Sequence, residues 1–235
     1  MQKTLSILDI NLDSKMNSKK NISIIVLTYD AIRYVKLCIE SLTNTTDVEY
    51  NVVVVDNASN KDTKNFLQKS LTSDKIDVLC NLESNRLFSR GNNIGVKIAP
   101  EESNYILLLN SDVEILDPLW LKKLLDIHKE GITTYGACVG GKFPNRGDGY
   151  CFLIDRKLYE KYWLDESFPW FWSITKLQGE VLSEGYSVQA IKKHENIIKH
   201  YGGSSGDAYK KFKNSTKIDL QKVKSWFGES EVEIL

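Results

Sequence analysis

Apolar residues in this chain follow two alternating rhythms. Short unbroken runs rich in β-branched residues are found at "ISIIVL" (22–27), "NVVVVD" (51–56), "KIDVLC" (75–80) and "YILLLN" (105–110). They are too brief for buried helices and predict strands covered on both faces. Between them the spacing changes to three and four. Ile32, Val35, Ile39 and Leu42 predict one amphipathic helix, and Phe66, Leu67 and Leu71 predict another. A third helix is expected from near Gly91 to just before Pro100. A fourth opens at Pro118 and carries Leu121, Leu124 and Leu125, because proline fits the first helical turn. Strands and helices alternate through about residue 130. That order predicts an α/β fold, a mostly parallel central sheet with helices on both faces.

Beyond Gly131 the rhythm loosens. Glycines at 136, 140, 141, 147 and 149 surround Phe143-Pro144 and predict turns and a mobile loop. "YCFLID" (150–155) reads as a strand, 175–184 as a helix and 186–191 as a strand, and "ENIIKHYGGSSG" ends a strand in a flexible glycine-serine loop. Residues 1–20 are polar and predict a flexible N-terminal extension. Residues 204–235 are charged and predict a partly helical C-terminal tail, leaving 21–203 as the folded domain.

The totals narrow the function. A length of 235 residues suits one domain with extensions. Lysine and arginine number 31, aspartate and glutamate also 31, and the pI is near 6.8, so the basic footprint of a nucleic-acid-binding protein is missing. Cys38, Cys80, Cys138 and Cys151 are far apart and form no C-x-x-C pair. They read as small hydrophobes in a reducing compartment rather than a zinc site. No apolar run approaches the ~18 residues of a membrane span, and the N-terminus lacks the apolar core and cleavage site of a signal peptide. A cytoplasmic location is expected.

Candidate chemistry lies where the strands stop, since ligands of open α/β sheets bind beyond the carboxyl ends of the strands. The first strand ends in Thr28-Tyr29-Asp30, the second in Asp56-Asn57-Ala58-Ser59, and the fourth in Asn110-Ser111-Asp112; the third leads to Asn85. Each alone is an ordinary helix cap or Asx-turn. Together they make a polar rim. "TYDAIRY" after the first strand has none of the glycines of a phosphate-binding loop. A divalent cation held by a carboxylate would take that part, and Asp112 stands in the right place.

The ordered set "ISIIVLTYD", "VVVVDNASN", "NRLFSRGNNIG" and "YILLLNSDVEI" is similar to family 2 of the nucleotide-sugar glycosyltransferases, which have the GT-A (Rossmann-like) fold. The resemblance covers roughly residues 21–203. It implies a metal-dependent, inverting transfer of a sugar from a nucleoside-diphosphate sugar to an acceptor hydroxyl. It implies that Thr28, Tyr29 and Asp30 line the nucleotide pocket, although the family usually has asparagine where Asp30 stands. Asp56 would hydrogen-bond the base with Asn57 and Ser59 nearby, Asn85 would lie near the base or ribose, and Arg90 near the diphosphate, where a planar guanidinium suits phosphate oxygens. Asn110-Ser111-Asp112 resembles the family's D-x-D-like motif, so Asp112 would ligate Mn²⁺ or Mg²⁺. "IIKHYGGSSG" resembles a late H-x-x-G element and nominates His200 as a second ligand, which suits Mn²⁺ better than Mg²⁺. If Asp56 accepts an imide N–H, a UDP- or dTDP-sugar is the expected donor, with cytosine and guanine as the other bases left open. The acceptor would be a glycan, a lipid-linked or another hydroxyl. His128 and His194 read as solvated.

One part of the family pattern is missing. The base that deprotonates the acceptor is usually the second acid of a Glu-Asp pair opening a helix. Counting from "LDESF" and from "EGY" puts that pair at Ser173-Ile174, with Lys176 at the next expected acid position. Glu180, Asp165, Glu166 and Asp148 are the carboxylates that could replace it. A catalytically silent sugar-nucleotide-binding subunit is the alternative reading, and a nucleotidyltransferase of related topology would need the glycine-rich loop that "TYDAIRY" lacks. Trp170 and Trp172 are candidates for stacking on a sugar. They flank Phe171, so in an extended segment only one face of it meets a ligand, and core packing is the other reading. Lysines 192, 193, 199, 210, 211 and 213 suit either a solvated face or an anionic acceptor.

Overall fold

The computed structural model describes residues 21–202 and 217–235. The expected extension at 1–20, the glycine-serine loop after Gly202 and lysines 210, 211 and 213 lie outside them. In chain order the elements are β1 (Ile22–Thr28), α1 (Ile32–Leu42), β2 (Asn51–Asp56), α2 (Lys61–Thr72), β3 (Val78–Asn81), α3 (Leu87–Ile98), β4 (Tyr105–Asn110) and β5 (Val113–Ile115). They continue with α4 (Trp120–Ile127), β6 (Gly131–Tyr135), β7 (Ala137–Cys138), β8 (Arg146–Gly147), β9 (Cys151–Asp155), α5 (Arg156–Tyr162) and α6 (Ser173–Ser183). The last are β10 (Ser187–Ile191), β11 (Ile198–His200), α7 (Leu220–Phe227) and β12 (Glu233–Ile234).

Eight strands form the central sheet in the order β12-β10-β6-β9-β4-β1-β2-β3. Only β9 runs against its neighbours, pairing antiparallel with both β4 and β6. The sheet is therefore mostly parallel, as expected. Its central strands are enclosed because two separate cores cover the two faces. Ile22, Ile24, Val26, Val52 and Val54 pack with Val35, Cys38 and Ile39 of α1, Leu67 of α2 and Trp120, Leu121 and Leu124 of α4. Ile25, Val53, Ile106 and Leu108 face the other way, toward Val96 of α3, Tyr159 of α5, Leu177 and Val181 of α6 and Phe227 of α7. Each fully enclosed aliphatic side chain contributes about 2 kcal/mol of burial free energy. The β-branched runs fit this two-sided role because alternate side chains go to opposite faces.

Several boundaries differ from the sequence expectation. α3 begins at Leu87, ahead of the expected start at Gly91. Gly91 and Gly95 are internal to it, where the helix presses on β1. A Cβ on Gly95 would stand 2.3 Å from Ile25 Cγ2. β3 is shorter than expected, because Asp77 just before it turns its carboxylate onto the Val52 N–H at 2.8 Å. Pro118 lies in the turn ahead of α4; Asp117 prepares the helix start by accepting from the Leu119 N–H at 2.9 Å.

The C-terminal residues are built into the same body. α7 lies on α6 closely enough that a Cβ on Gly179 would meet the Trp226 carbonyl at 2.5 Å. β12 extends the sheet in parallel from β10. Among the described residues no helix is long and apolar enough to cross a membrane, and all four cysteines are free thiols.

Candidate active site

The carboxyl ends of β1 and β2 are in register, with Thr28 opposite Asp56. Both are fully buried. Thr28 Oγ1 donates to Asp56 Oδ1 at 3.2 Å, and the Ser59 N–H donates to Asp56 Oδ2 at 3.2 Å. Asp56 is thus the organiser of this rim. Beside it the Asp30 N–H donates to Ser59 Oγ at 2.8 Å, and Asp30 Oδ1 accepts from the Asn60 N–H at 2.7 Å. Asn57 Nδ2 donates to Asn85 Oδ1 at 2.7 Å, which also accepts from the Leu87 N–H at 2.8 Å. Asn57 Oδ1 accepts from the Arg86 N–H at 2.6 Å. Side chains from two strand ends therefore fix the start of α3. Tyr29 is half-buried at the same edge.

Backbone strain gathers here too. Asp30, Ala31, Ala58, Leu87 and Trp172 all have positive φ, between 49° and 72°. That region is disfavoured for residues with a Cβ and persists where the surroundings over-determine it.

β4 ends at Asn110, and Ser111-Asp112 turns the chain into β5. β5 pairs antiparallel with β11, with Val113 opposite His200. This three-residue ladder, with the Tyr201 N–H donating to the Asp112 carbonyl at 3.0 Å, brings His200 Nε2 to 3.3 Å from Asp112 Oδ1. Asp112 is buried and His200 partly so. The Tyr150 ring stacks on His200 at 4.2 Å with an interplanar angle of 22°, and the Tyr150 carbonyl accepts from the Asn110 N–H at 2.9 Å. One carboxylate oxygen and one imidazole nitrogen make a donor set that suits Mn²⁺. Among the described residues no group of three or more His, Cys, Asp or Glu could hold a metal by itself. A cation here would complete its shell from a bound ligand and water. The two residues fit such a shared ion.

Arg90 lies on the first turn of α3, exposed, with Glu166 Oε2 3.9 Å from its Nε. Exposed contacts of this kind stabilise by about 0–1 kcal/mol, so the guanidinium is easily recruited by a stronger anion. Glu166 also accepts from Asn93 Nδ2 at 3.2 Å. Asp165 receives the Lys176 ammonium at 2.7 Å. Burial pushes its carboxyl up, but hydrogen bonds from Lys176 and Ser167 outweigh that and hold it at about 2. Such a carboxylate is a weak base. Glu180 lies 3.5 Å from the same ammonium, and burial pushes its carboxyl up against the pull of Lys176. At ~1.5 Å per residue, Glu180 stands ~9 Å along α6 from Ile174 and away from the rim. The structure thus ties Asp165 and Glu180 to one lysine rather than to the polar rim.

Trp172 is packed rather than open. Its ring centroid is 4.9 Å from that of Phe143, and the Arg146 guanidinium lies 5.7 Å from it. Trp170 is half-buried and meets Phe171 edge-on at 6.3 Å. This segment crosses the start of α3, whose Phe88 and Ser89 N–H groups donate to the Pro169 carbonyl.

Two histidines expected in solvent are engaged. The His128 side chain is only 5% exposed, with Nδ1 2.8 Å from Thr133 Oγ1 and Nε2 3.3 Å from Asp155 Oδ2. His194 Nε2 pairs with the Tyr150 hydroxyl at 2.5 Å. Sequence reasoning also passes over Tyr150, Gln178 and Asn93. Asn93 is buried and joins Tyr159, Leu164 and Glu166 through its amide. A polar residue on the apolar stripe of a helix is the signal that points to it, and Gln178 carries the same signal.

A family model described as glycosyl transferase family 2 matches residues 23–150, more than half of the chain. Among solved structures, S. aureus TarS 1–349 is similar at 15% identity over 89% of this chain and 70% of its own, with a TM-score of 0.62. The same fragment in complex with UDP is similar at 19% identity over 68% of this chain and 54% of its own, with a TM-score of 0.56. The mannosyltransferase PcManGT from Pyrobaculum calidifontis, in complex with GDP-Man and Mn²⁺, is similar at 15% identity over 88% and 67%, with a TM-score of 0.62. The chain spans 42% of the length of the longer TarS structure. At these identities the likeness is one of fold. No curated protein sequence matches the chain.

Proposed function

The chain belongs to glycosyl transferase family 2, and from that premise we propose that it moves a sugar from a nucleoside-diphosphate sugar to an acceptor hydroxyl, with a divalent cation and with inversion at the anomeric carbon. One observation carries the reading. The enclosed Thr28–Asp56 pair and the Asp112–His200 pair converge at the carboxyl rim of neighbouring strands, where open α/β sheets bind ligands.

In this reading Thr28, Tyr29, Asp30, Asp56, Asn57, Ser59 and Asn85 hold the nucleoside, with Ser111 beside the diphosphate. Asp112 and His200 would hold Mn²⁺ or Mg²⁺, which when bound offsets negative charge on the departing diphosphate. Arg90 adds a second positive group to the same oxygens. Trp170 or Trp172 would set a ring against the sugar. Diphosphate donors are supported by the UDP and UDP-GlcNAc complexes of TarS and the GDP-Man complex of PcManGT. A UDP- or dTDP-sugar is the proposed donor, and a glycan, lipid-linked or other hydroxyl the acceptor. A cytoplasmic setting, consistent with four free cysteines, belongs to the same proposal.

The test is release of nucleoside diphosphate from UDP- and dTDP-sugars with and without Mn²⁺. Metal-dependent release supports the reading. Ser173 and Ile174 at the start of α6, where the resemblance implies acids, favour a second reading, a silent subunit that binds sugar nucleotides. Binding without release would favour that one.

A further inference from the structure

We propose that Asp148, in the loop between β8 and β9, is the base that deprotonates the acceptor, replacing the acid absent from the start of α6. The inference rests on the transferase reading above. Its ground is the way this loop is fastened to α6.

Neither residue at the helix start can do the work. Ile174 has no ionisable group, and Ser173 Oγ is turned to Ser89 Oγ at 2.8 Å. The loop lies directly against this turn. A Cβ on Gly149 would be 3.2 Å from Ile174 Cγ1. One turn later, Gln178 is fully buried and engages both polar groups of Gly147. Its Oε1 accepts from the Gly147 N–H at 2.7 Å, and its Nε2 donates to the Gly147 carbonyl at 3.1 Å and to the Ile174 carbonyl at 3.3 Å. Asp148 is therefore flanked on both sides by residues held to the first two turns of α6.

The same loop reaches the rim. β9 is antiparallel, so its first residues meet the carboxyl end of β4, with Cys151 opposite Leu109. Tyr150 bridges from there to His200 by stacking. The Asp148 N–H donates to the Gly136 carbonyl at 2.9 Å, just past the end of β6. Asp148 thus stands two residues from a ring that touches the Asp112–His200 pair.

Its chemistry differs from that of the other candidates. Asp165 and Glu180 share the Lys176 ammonium, and Glu166 is drawn to Arg90 and Asn93. Asp148 has no ion-pair partner among the described residues. Its Oδ1 is oriented by the Gly149 N–H at 2.7 Å, and its Oδ2 meets the Cys138 thiol, a weak donor, at 3.7 Å. One oxygen is fixed and the other keeps acceptor capacity. Burial and the Asp148 carboxylate push the Cys138 thiol up, so that neighbour stays neutral. The Arg146 guanidinium lies over Phe143 and Trp172.

In the step, Asp148 takes the proton of the acceptor hydroxyl as that oxygen bonds to the anomeric carbon. The bond from the anomeric carbon to the diphosphate oxygen breaks, and its electron pair leaves with the nucleoside diphosphate.

The test compares wild type, Asp148→Asn and Asp148→Ala on UDP-GlcNAc, UDP-glucose and GDP-mannose with Mn²⁺. Water and sodium azide serve as acceptors, and UDP affinity and melting temperature are measured in parallel. Azide carries no proton and needs no base. The expected result is release to water lowered by about 100-fold or more in both variants. UDP affinity and melting stay unchanged, and azide restores release from Asp148→Ala as a glycosyl azide of inverted configuration. Variants that keep pace with wild type in water, or a loss that azide does not restore, overturn the assignment. Wild type that binds UDP with Mn²⁺ yet releases nothing under any condition overturns the transferase reading instead.

Discussion

His200 Nε2 and Asp112 Oδ1 stand 3.3 Å apart although one residue closes β11 and the other follows β4. The β5–β11 ladder sets the distance and the Tyr150 ring backs the imidazole. The strand ladder and the ring thus fix the spacing of the two side chains from outside the pair.

Asp112→Ala should abolish the stabilisation that UDP and Mn²⁺ give together, and His200→Ala should reduce it. Ligand-linked stabilisation follows the ratio of ligand to dissociation constant, so the rise in Tm with UDP, MnCl₂ and both reports it directly. An Asp112→Ala protein that keeps the full rise would remove the pair from the site.

Lys176 should govern acid stability. Asp165 is held at about 2 against an ordinary 3.8, so its folded value is depressed. The stability it contributes is fully present above its ordinary value and is lost as pH falls from 3.8 to about 2. Lys176→Met removes the cation that Asp165 and Glu180 share. Its Tm at pH 7 should drop, and the gap from wild type should close as pH falls from 3.8 to about 2, where Asp165 is protonated in both proteins. Melting temperatures between pH 2 and 7 read both effects, and superimposable curves would count against the argument.

Gly95→Ala should destabilise the fold by about 1–3 kcal/mol, the usual range for overpacking. Its methyl would meet Ile25 Cγ2 on the central strand. Pairing it with Ile25→Ala should give a double variant less damaged than the sum of the singles, measured by urea denaturation. Strict additivity would show that the helix moves away instead.

Gln178→Leu should cost about 1–3 kcal/mol by leaving the Gly147 N–H and carbonyl without their partner. Because Gly147 precedes Asp148, nucleoside diphosphate release should also fall while UDP affinity holds. A purely structural role would lower the Tm and spare turnover of the folded fraction.

The centre of the sheet was readable from residues because packing there is repetitive. "ISIIVL", "NVVVVD" and "YILLLN" are enclosed on both faces and announce it. β6 hides because Thr133 and Thr134 are buried polar residues within it, partnered by His128 and by the Gly136 carbonyl. α5 hides because Arg156 looks like surface charge. It is buried instead, donating to the carbonyls of Val96, Ala99, Pro100 and Ser103 at the end of α3. At the rim, residue types marked Asp56 and Asp112 as candidates, but neither the closure around Asp56 nor the pairing of Asp112 with His200 is local. Both depend on which strands become neighbours. His128 and His194 look solvated in sequence for the same reason, their partners Asp155 and Tyr150 being distant along the chain.

The one strand that runs backward has a wider meaning. Because β9 enters the sheet where its neighbours leave it, the rim can be supplied with an acid from two directions, by the helix or by the hairpin approach. If Asp148 is the base, the two approaches are interchangeable on one scaffold. A search for the base keyed to position in space rather than to motif would then recognise chains that lack the helical acid.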